Sequence, residues 1–432
     1  MDVHPLPARA LIAVGLLAAC GDGEPEVYAD LPSIEIAAFA VPQRHDLDLM
    51  FMIDDSTNYD MEINLAVAMP TLTARLMAMG VSSLHIGVAT SDLGTTGSVN
   101  PDMPGPPVGQ VGNGGCAGHG KDGVLQTSGA AVTGAFIIDE PGQRNYTGTL
   151  DEVLGTMVKV GSGGCGFEQP LAAIGRALTN PVNLGFRRAD TDLAIVQLAD
   201  EDDCSFLHPG LLDPAAAGLG PLQSFRCTRF GLRCDENLDE LGEKHGCHAD
   251  EESTVVTGVA GHIAALRAAA VRPPTFAAIV GPPSPVIVEQ RTPPGGGTAV
   301  TSLAHACSYT GLGGLEVADP AVRVADVVRA MEGRGVLANV CVSDLRPALE
   351  RIADTIGGAF GVVCLDTTML RDSSFDPGIQ PTCTAELDGV AVPFEIVADP
   401  AACVAVPDHL RLVVHPDAGA TGTVRVRCEV PG

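Results

Sequence analysis

The sequence of 432 residues contains no tryptophan and only four tyrosines, and it is short of positive charge, with 25 Lys and Arg against 53 Asp and Glu. A formal charge of −28 repels phosphate backbones, and the scarcity of aromatic rings leaves bases little to stack on, so nucleic-acid binding is excluded. No apolar run approaches the roughly 20 residues that a membrane-crossing helix requires. Also missing are a Gly-x-Ser-x-Gly nucleophile turn, a His-Glu-x-x-His helix and a convincing Ser, His and Asp set. The expectation is a protein that binds and does not catalyse. What is plentiful is glycine (51), proline (32) and hydrophobic residues (46%), the composition of an ordered but loop-rich body, and the length suits two or three domains. No internal repeat is evident.

The amino terminus sets the compartment. Arg9 precedes a short apolar run over 10–19, read as a signal peptide over 1–19. The run ends Leu17, Ala18, Ala19, Cys20, which resembles the lipobox of bacterial lipoproteins, in which cleavage precedes the cysteine and that cysteine carries lipid. An ordinary signal peptide with a small-residue cleavage site is the alternative. Setting Cys20 aside leaves twelve of the thirteen cysteines: Cys116, Cys165, Cys204, Cys227, Cys234, Cys247, Cys307, Cys341, Cys364, Cys383, Cys403 and Cys428. An even number in an exported chain predicts disulfides, with the connectivity open, although Cys204, Cys227, Cys234 and Cys247 lie close enough to pair among themselves.

Residues 20–45 mix Gly, Pro, Glu and Asp without clear periodicity and read as a lipidated cysteine followed by a tether. From Asp46 onward apolar strands at 47–53, 84–90, 193–199 and 275–280 alternate with helical stretches at 59–79, 149–160, 168–178, 253–271, 320–331 and 345–356. Residues 136–139 and 340–342 read as short strands. The alternation predicts an α/β fold with a mainly parallel, doubly wound sheet and helices on both faces over 46–363, interrupted by insertions at about 94–135, 204–250 and 282–318. Strands expected at 392–397, 410–415 and 423–430 make a small disulfide-held β module of 364–432.

Chemistry concentrates where two of these strands end. Asp54, Asp55, Ser56, Thr57 and Asn58 follow the first, and in open α/β sheets ligands bind beyond the carboxyl ends of strands. Asp54 and Ser56 are spaced to aim oxygens at one point, which suits a hard cation such as Mg²⁺ or Ca²⁺. Strand 193–199 ends in Asp200, Glu201, Asp202 and Asp203. Asp54 could instead cap the following helix, and 200–203 could be a solvated charge run.

The order strand, Asp54-x-Ser56, helix resembles the metal-ion-dependent adhesion site of von Willebrand factor type A domains, with Asn58 in place of the third residue of the pattern. The lipobox, the segment Gly166-Phe167-Glu168-Gln169-Pro170-Leu171, the acidic turn from Asp200 to Cys204 and the cysteine-rich insertion together look like A-like lipoproteins of myxobacteria, over residues 46 to about 360. The resemblance implies a von Willebrand factor A-like fold and an envelope-anchored adhesion protein. It implies Asp54, Ser56 and Asp200 as metal ligands, Asn58 and Glu168 as further ones, and a protein partner that completes the shell with a carboxylate. The second-loop threonine of that family is absent. A scaffold with a metal-free site is the alternative, and a metal hydrolase using carboxylates such as Asp202 and Asp203 ranks third.

Other signals point elsewhere. Gly115 to Lys121 fits the first seven positions of a phosphate-binding loop, but Asp122 stands where Ser or Thr is needed and no strand precedes it. Cys227, Cys234, His245, Cys247 and His248 lack the spacing of a zinc finger or ribbon. His85 within a strand and His262 within a helix read as structural.

Overall fold

The computed structural model describes residues 32–43, 45–56, 59–292, 296–372 and 380–431. The signal segment, Cys20 and Asn58 lie outside the described residues.

The strand Asp46–Ile53 lies in the middle of the largest sheet and is almost wholly buried. It pairs in parallel with Ser83–Thr90 on one side and Asp192–Leu198 on the other. Asp192–Leu198 pairs with Thr275–Val280, which pairs with Gly335–Asn339, again in parallel. At the opposite edge Ile137–Glu140 and Gln143–Arg144 turn the sheet antiparallel. Leu47, Leu49, Phe51 and Ile53 face one core with the helices Tyr59–Ala78, Leu150–Met157 and Arg346–Gly357. Met50 and Met52 face the other, with Pro170–Thr179, Val259–Ala268 and Val322–Ala330. A strand period of two, with apolar residues at nearly every position, is what burial on both faces requires.

The expected mainly parallel, doubly wound sheet of von Willebrand factor A type is not the architecture formed. Of the fifteen strand ladders among the described residues only four are parallel. The strands fall into six sheets, five of them with two to four strands, so the fold is a mixed α/β one. The cause lies in the Gly- and Pro-rich stretches. They build short antiparallel hairpins such as Val286–Arg291 with Val300–Leu303 and Cys307–Thr310 with Leu315–Ala318, which need no crossover helix. An alternating reading of the long apolar strands misses these short ones.

The tether expected to 45 also ends earlier. Ser33–Val41 is a strand, antiparallel to Gly422–Glu429, and Ala37 and Phe39 are buried with Val363, Leu365, Leu412, Val424 and Val426. The carboxyl-terminal β module therefore contains a strand from the other end of the chain. The edge strand expected at 340–342 is instead Gly335–Asn339.

All twelve remaining cysteines pair: Cys116–Cys165, Cys204–Cys227, Cys234–Cys247, Cys307–Cys341, Cys364–Cys403 and Cys383–Cys428. Six disulfides belong to an oxidising, non-cytoplasmic compartment. No helix among the described residues is long and apolar enough to cross a membrane.

Because Phe39 is buried in the module core, Phe39→Ala is expected to lower unfolding free energy by about 3–5 kcal/mol. Urea denaturation monitored by far-ultraviolet circular dichroism measures it, and a change near zero would restore the tether reading.

Candidate functional site

Three loops meet at the carboxyl edge of the central parallel strands. Asp54 follows Asp46–Ile53, and its N–H donates to the carbonyl of Leu198 (2.9 Å). Asp200 lies two residues beyond Asp192–Leu198 and accepts at its carbonyl from the N–H of Asp319 (2.7 Å). Glu168 sits just ahead of the helix Pro170–Thr179 and accepts at its carbonyl from Cys204 N–H (2.8 Å). Gln169 N–H donates to Ser91 O (3.1 Å), and Ser91 N–H to Ile53 O (3.2 Å), so backbone bonds knit the second loop to the first.

The side chains converge as the backbone does. One carboxylate oxygen each from Asp54, Glu168 and Asp200 lie within 4.8 Å of one another. Oxygens on opposite sides of a Ca²⁺ ion are about 4.6–5.2 Å apart, and about 4.0–4.2 Å across Mg²⁺, so three oxygens this close fit a common centre. Asp54 and Glu168 are 1% and 2% exposed. Asp54 Oδ1 accepts from Ser56 N–H (2.8 Å), a local turn two residues long that lies ahead of the helix Tyr59–Ala78 and does not cap it. That turn uses one oxygen. The other, Oδ2, has no hydrogen-bond donor, and neither do Glu168 Oε2 and Asp200 Oδ1.

Burial, then the charge of Asp54 and the neighbouring acids Glu201 and Asp200, pushes Glu168 well above the ordinary carboxyl range. Burial and Asp54 do the same to Asp200. Glu201 is raised to about 8 by burial, with Asp319 and Asp54 adding to it. Behind the triad Glu62 is raised to about 8, mainly by burial, although it accepts from Gly161 N–H (3.0 Å). Asp55 is raised by burial to about 6 despite an ion pair with Lys121 Nζ at 2.6 Å.

Lys121 is the residue that sequence reasoning missed, having been weighed only as part of a phosphate loop. It reaches the site because the 94–135 insertion folds back over it, tied by Cys116–Cys165 to the loop that carries Glu168. That loop approaches closely: Gly164 N–H donates to Asp55 O (2.7 Å), and a Cβ at 164 would lie 2.3 Å from Asp55 Oδ1, so only glycine fits.

Asp202 and Asp203 are occupied otherwise. Asp202 accepts from the N–H groups of Arg323 (2.9 Å) and Val324 (3.1 Å), the first turn of Val322–Ala330. Burial would raise Asp203, but Arg323 (2.9 Å), the Ser205 hydroxyl (2.6 Å) and its other partners outweigh it and hold the group below the ordinary range. These two acids hold the fold, whereas Asp200 faces Asp54 and Glu168. The cysteines weighed for zinc are in disulfides. His85 bonds Phe186 O and Glu140, and His262 bonds Thr257, as structural histidines do.

No protein-family model and no curated protein sequence matches the chain. Among solved structures it is similar to the pilus adhesin SpaC of Lactobacillus rhamnosus GG, with 10% identity, a TM-score of 0.31 and coverage of 89% of this chain. The chain spans 39% of that adhesin's length, and a likeness at this score carries no argument about fold or function.

The site makes stability depend on protons in a definite direction. A carboxyl raised on folding stabilises while protonated, fully below its ordinary value near 4.5, and loses that contribution as pH rises through its folded value, about 8 for Glu62 and Glu201. The chelator-treated protein should therefore lose melting temperature as pH rises toward 8, and Glu168→Gln should raise it at pH 8. Arg323→Ala, which leaves Asp203 buried and unpaired, should cost about 3–5 kcal/mol. Calorimetric scans of the three proteins from pH 5 upward decide; equal losses from Glu168→Gln and Arg323→Ala would mean the triad is ordinary structure.

Proposed function

We propose that this chain is an exported, lipid-anchored recognition protein that binds Mg²⁺ or Ca²⁺ through Asp54, Glu168 and Asp200 and offers the ion to an oxygen donor, such as a carboxylate, on a protein partner. The observation that carries the reading is the convergence of three carboxylates, each of which has one buried oxygen without a protein donor. Buried charge needs a counter-charge, and Lys121, the cation paired with Asp55, reaches that neighbour and leaves the triad unpaired. A hard cation accepts such an all-oxygen set and retains positions for water or a partner's oxygen. Ser56 stands next to the triad, as the adhesion-site pattern implies, and its N–H fixes Asp54.

Export and anchoring rest on the segment ending Leu17-Ala18-Ala19-Cys20, supported by the disulfides. A binding role is favoured over a catalytic one because Asp202 and Asp203, the acids weighed for hydrolysis, are both engaged with Arg323.

Isothermal titration with Mg²⁺, Ca²⁺ and Mn²⁺ tests the centre. Saturable heat and a raised melting temperature are expected, with Asp54→Asn weakening affinity by more than about tenfold. No heat with any ion would leave a proton-sharing cluster within a disulfide-braced scaffold. Mass spectrometry of the mature protein checks the anchor: a lipid-modified amino-terminal Cys20 is expected, and a free thiol there would remove it.

A further inference from the structure

The contact between Lys121 and Asp55 is not an ordinary ion pair. Lys121 Nζ lies 2.6 Å from Asp55 Oδ2, and the Asp55 side chain is 0% exposed. Among the described residues, however, neither Asp55 oxygen has a hydrogen-bond donor, so the nitrogen is close without being aligned as one. A C–O bond of about 1.2 Å puts Nζ no more than about 3.8 Å from Cγ. An approach off the line of the C–O bond brings it nearer, toward the roughly 3–3.5 Å of a near-attack arrangement.

Both partners are held from the backbone. Asp55 follows the buried strand Asp46–Ile53, and its carbonyl accepts from Gly164 N–H (2.7 Å). A Cβ at Gly164 would lie 2.3 Å from Asp55 Oδ1, so that loop closes directly over the carboxyl. On the other side Lys121 N–H donates to Asp92 O (2.9 Å). The next residue, Asp122, pairs with Arg176 (2.7 Å), and its carbonyl accepts from the Asn180 side chain (2.8 Å). Cys116–Cys165 ties down the same loop just ahead of Lys121. An amine held against a carboxyl in this way reacts as one molecule, and effective concentrations in well-oriented pairs reach about 10⁵–10⁸ M.

Glu62, on the helix Tyr59–Ala78, completes the group. It is 1% exposed and within electrostatic reach of both Asp55 and Lys121, and burial lifts it to about 8, so it carries a proton at neutral pH. Around Asp55, desolvation favours a neutral amine and acid over an ion pair. We propose that Lys121 and Asp55 are joined by an intramolecular amide bond, with Glu62 relaying the protons. The ammonium first gives a proton to the Asp55 carboxylate. Neutral Nζ then attacks Cγ, the Nζ–Cγ bond forms, and the hydroxyl on Cγ leaves as water with a proton from Glu62, which takes one back from Nζ. One water is lost, nothing is oxidised or reduced, and no co-reactant enters. Lys121 is 30% exposed, which gives that water a way out. The product is a cross-link between the 94–135 insertion and the end of the central strand that, unlike the neighbouring Cys116–Cys165, reduction does not open. It requires no cation at the triad.

Mass spectrometry of the full mature chain, purified from the producing cells, reduced and alkylated, tests the bond. Expected is an intact mass one water (about 18 Da) below that of the Lys121→Arg chain once the substitution is allowed for. A tryptic fragment should join the segment holding Asp55 to one left uncleaved at Lys121. The linked fragment is read from the wild type alone, so the result stands even where a variant misfolds. Glu62→Gln should slow linkage by about 10²-fold or more, seen as the full mass in freshly made protein. A wild-type chain with no water missing would leave an ion pair and overturn the proposal. So would a loss confined to the Asp55 peptide, the signature of ring closure onto its own backbone, or linkage in Glu62→Gln at the wild-type rate.

Discussion

Three carboxylates brought within 4.8 Å of one another inside a folded protein are the constraint around which the rest is arranged. Two full charges at that distance repel by about 3.5 kcal/mol at an effective dielectric constant of 20. Three such pairs approach the entire stability of a typical domain, about 5–15 kcal/mol. The cluster cannot persist fully ionised without a counter-charge, and the protein's own cations are committed: Lys121 to Asp55, and Arg323 to Asp203. What remains is to share protons or to share a metal. Either way, the surrounding structure must hold the oxygens together against their repulsion.

That restraint comes in layers. Parallel ladders fix the ends of Asp46–Ile53 and Asp192–Leu198 side by side, since Ile53 pairs with Leu198. Cross-loop backbone bonds from Asp54, Cys204 and Asp319 then fix the residues beyond the strand ends. Finally, disulfides restrain the insertions that cover them. Closing loops of 13 to 49 residues removes about 3–4 kcal/mol of unfolded-state entropy per bridge on the chain-entropy model. A chain with 51 glycines and 32 prolines has much loop to order, and cross-links are an effective substitute for core where hairpins are short.

What could be read from the sequence follows from the range of each interaction. The strands 46–53, 83–90, 192–198 and 275–280 announce themselves by unbroken apolar runs, because each is buried on both faces. Asp54, Asp200 and Glu168 were legible because a strand end or helix start, recognisable locally, sets each position. The overall sheet pattern was not, because short antiparallel hairpins such as 307–310 with 315–318 depend on glycine turns and a remote disulfide. Ser33–Val41 escaped for a similar reason: its partner, Gly422–Glu429, lies at the far end of the chain, and its acidic, Gly- and Pro-containing surroundings hide it. Lys121 was illegible because its link to Asp55 depends on the path of a long loop that has no periodicity.

The acidic turn at 200–203 shows how neighbouring, chemically similar residues come to differ in role. Asp202 and Asp203 point toward donors: the start of Val322–Ala330, the Ser205 hydroxyl and the Arg323 guanidinium. Each donor lowers the cost of a buried negative charge, so these carboxylates are satisfied by the fold itself. Asp200, two residues earlier, turns toward Asp54 and Glu168, and its Oδ1 has no donor. Charge and burial alone do not separate the two situations, since Asp200 and Asp202 are both half-buried. The supply of donors does. Structural acids are those whose donors the chain provides, whereas the acids at 54, 168 and 200 each keep one buried oxygen that no donor of the chain reaches.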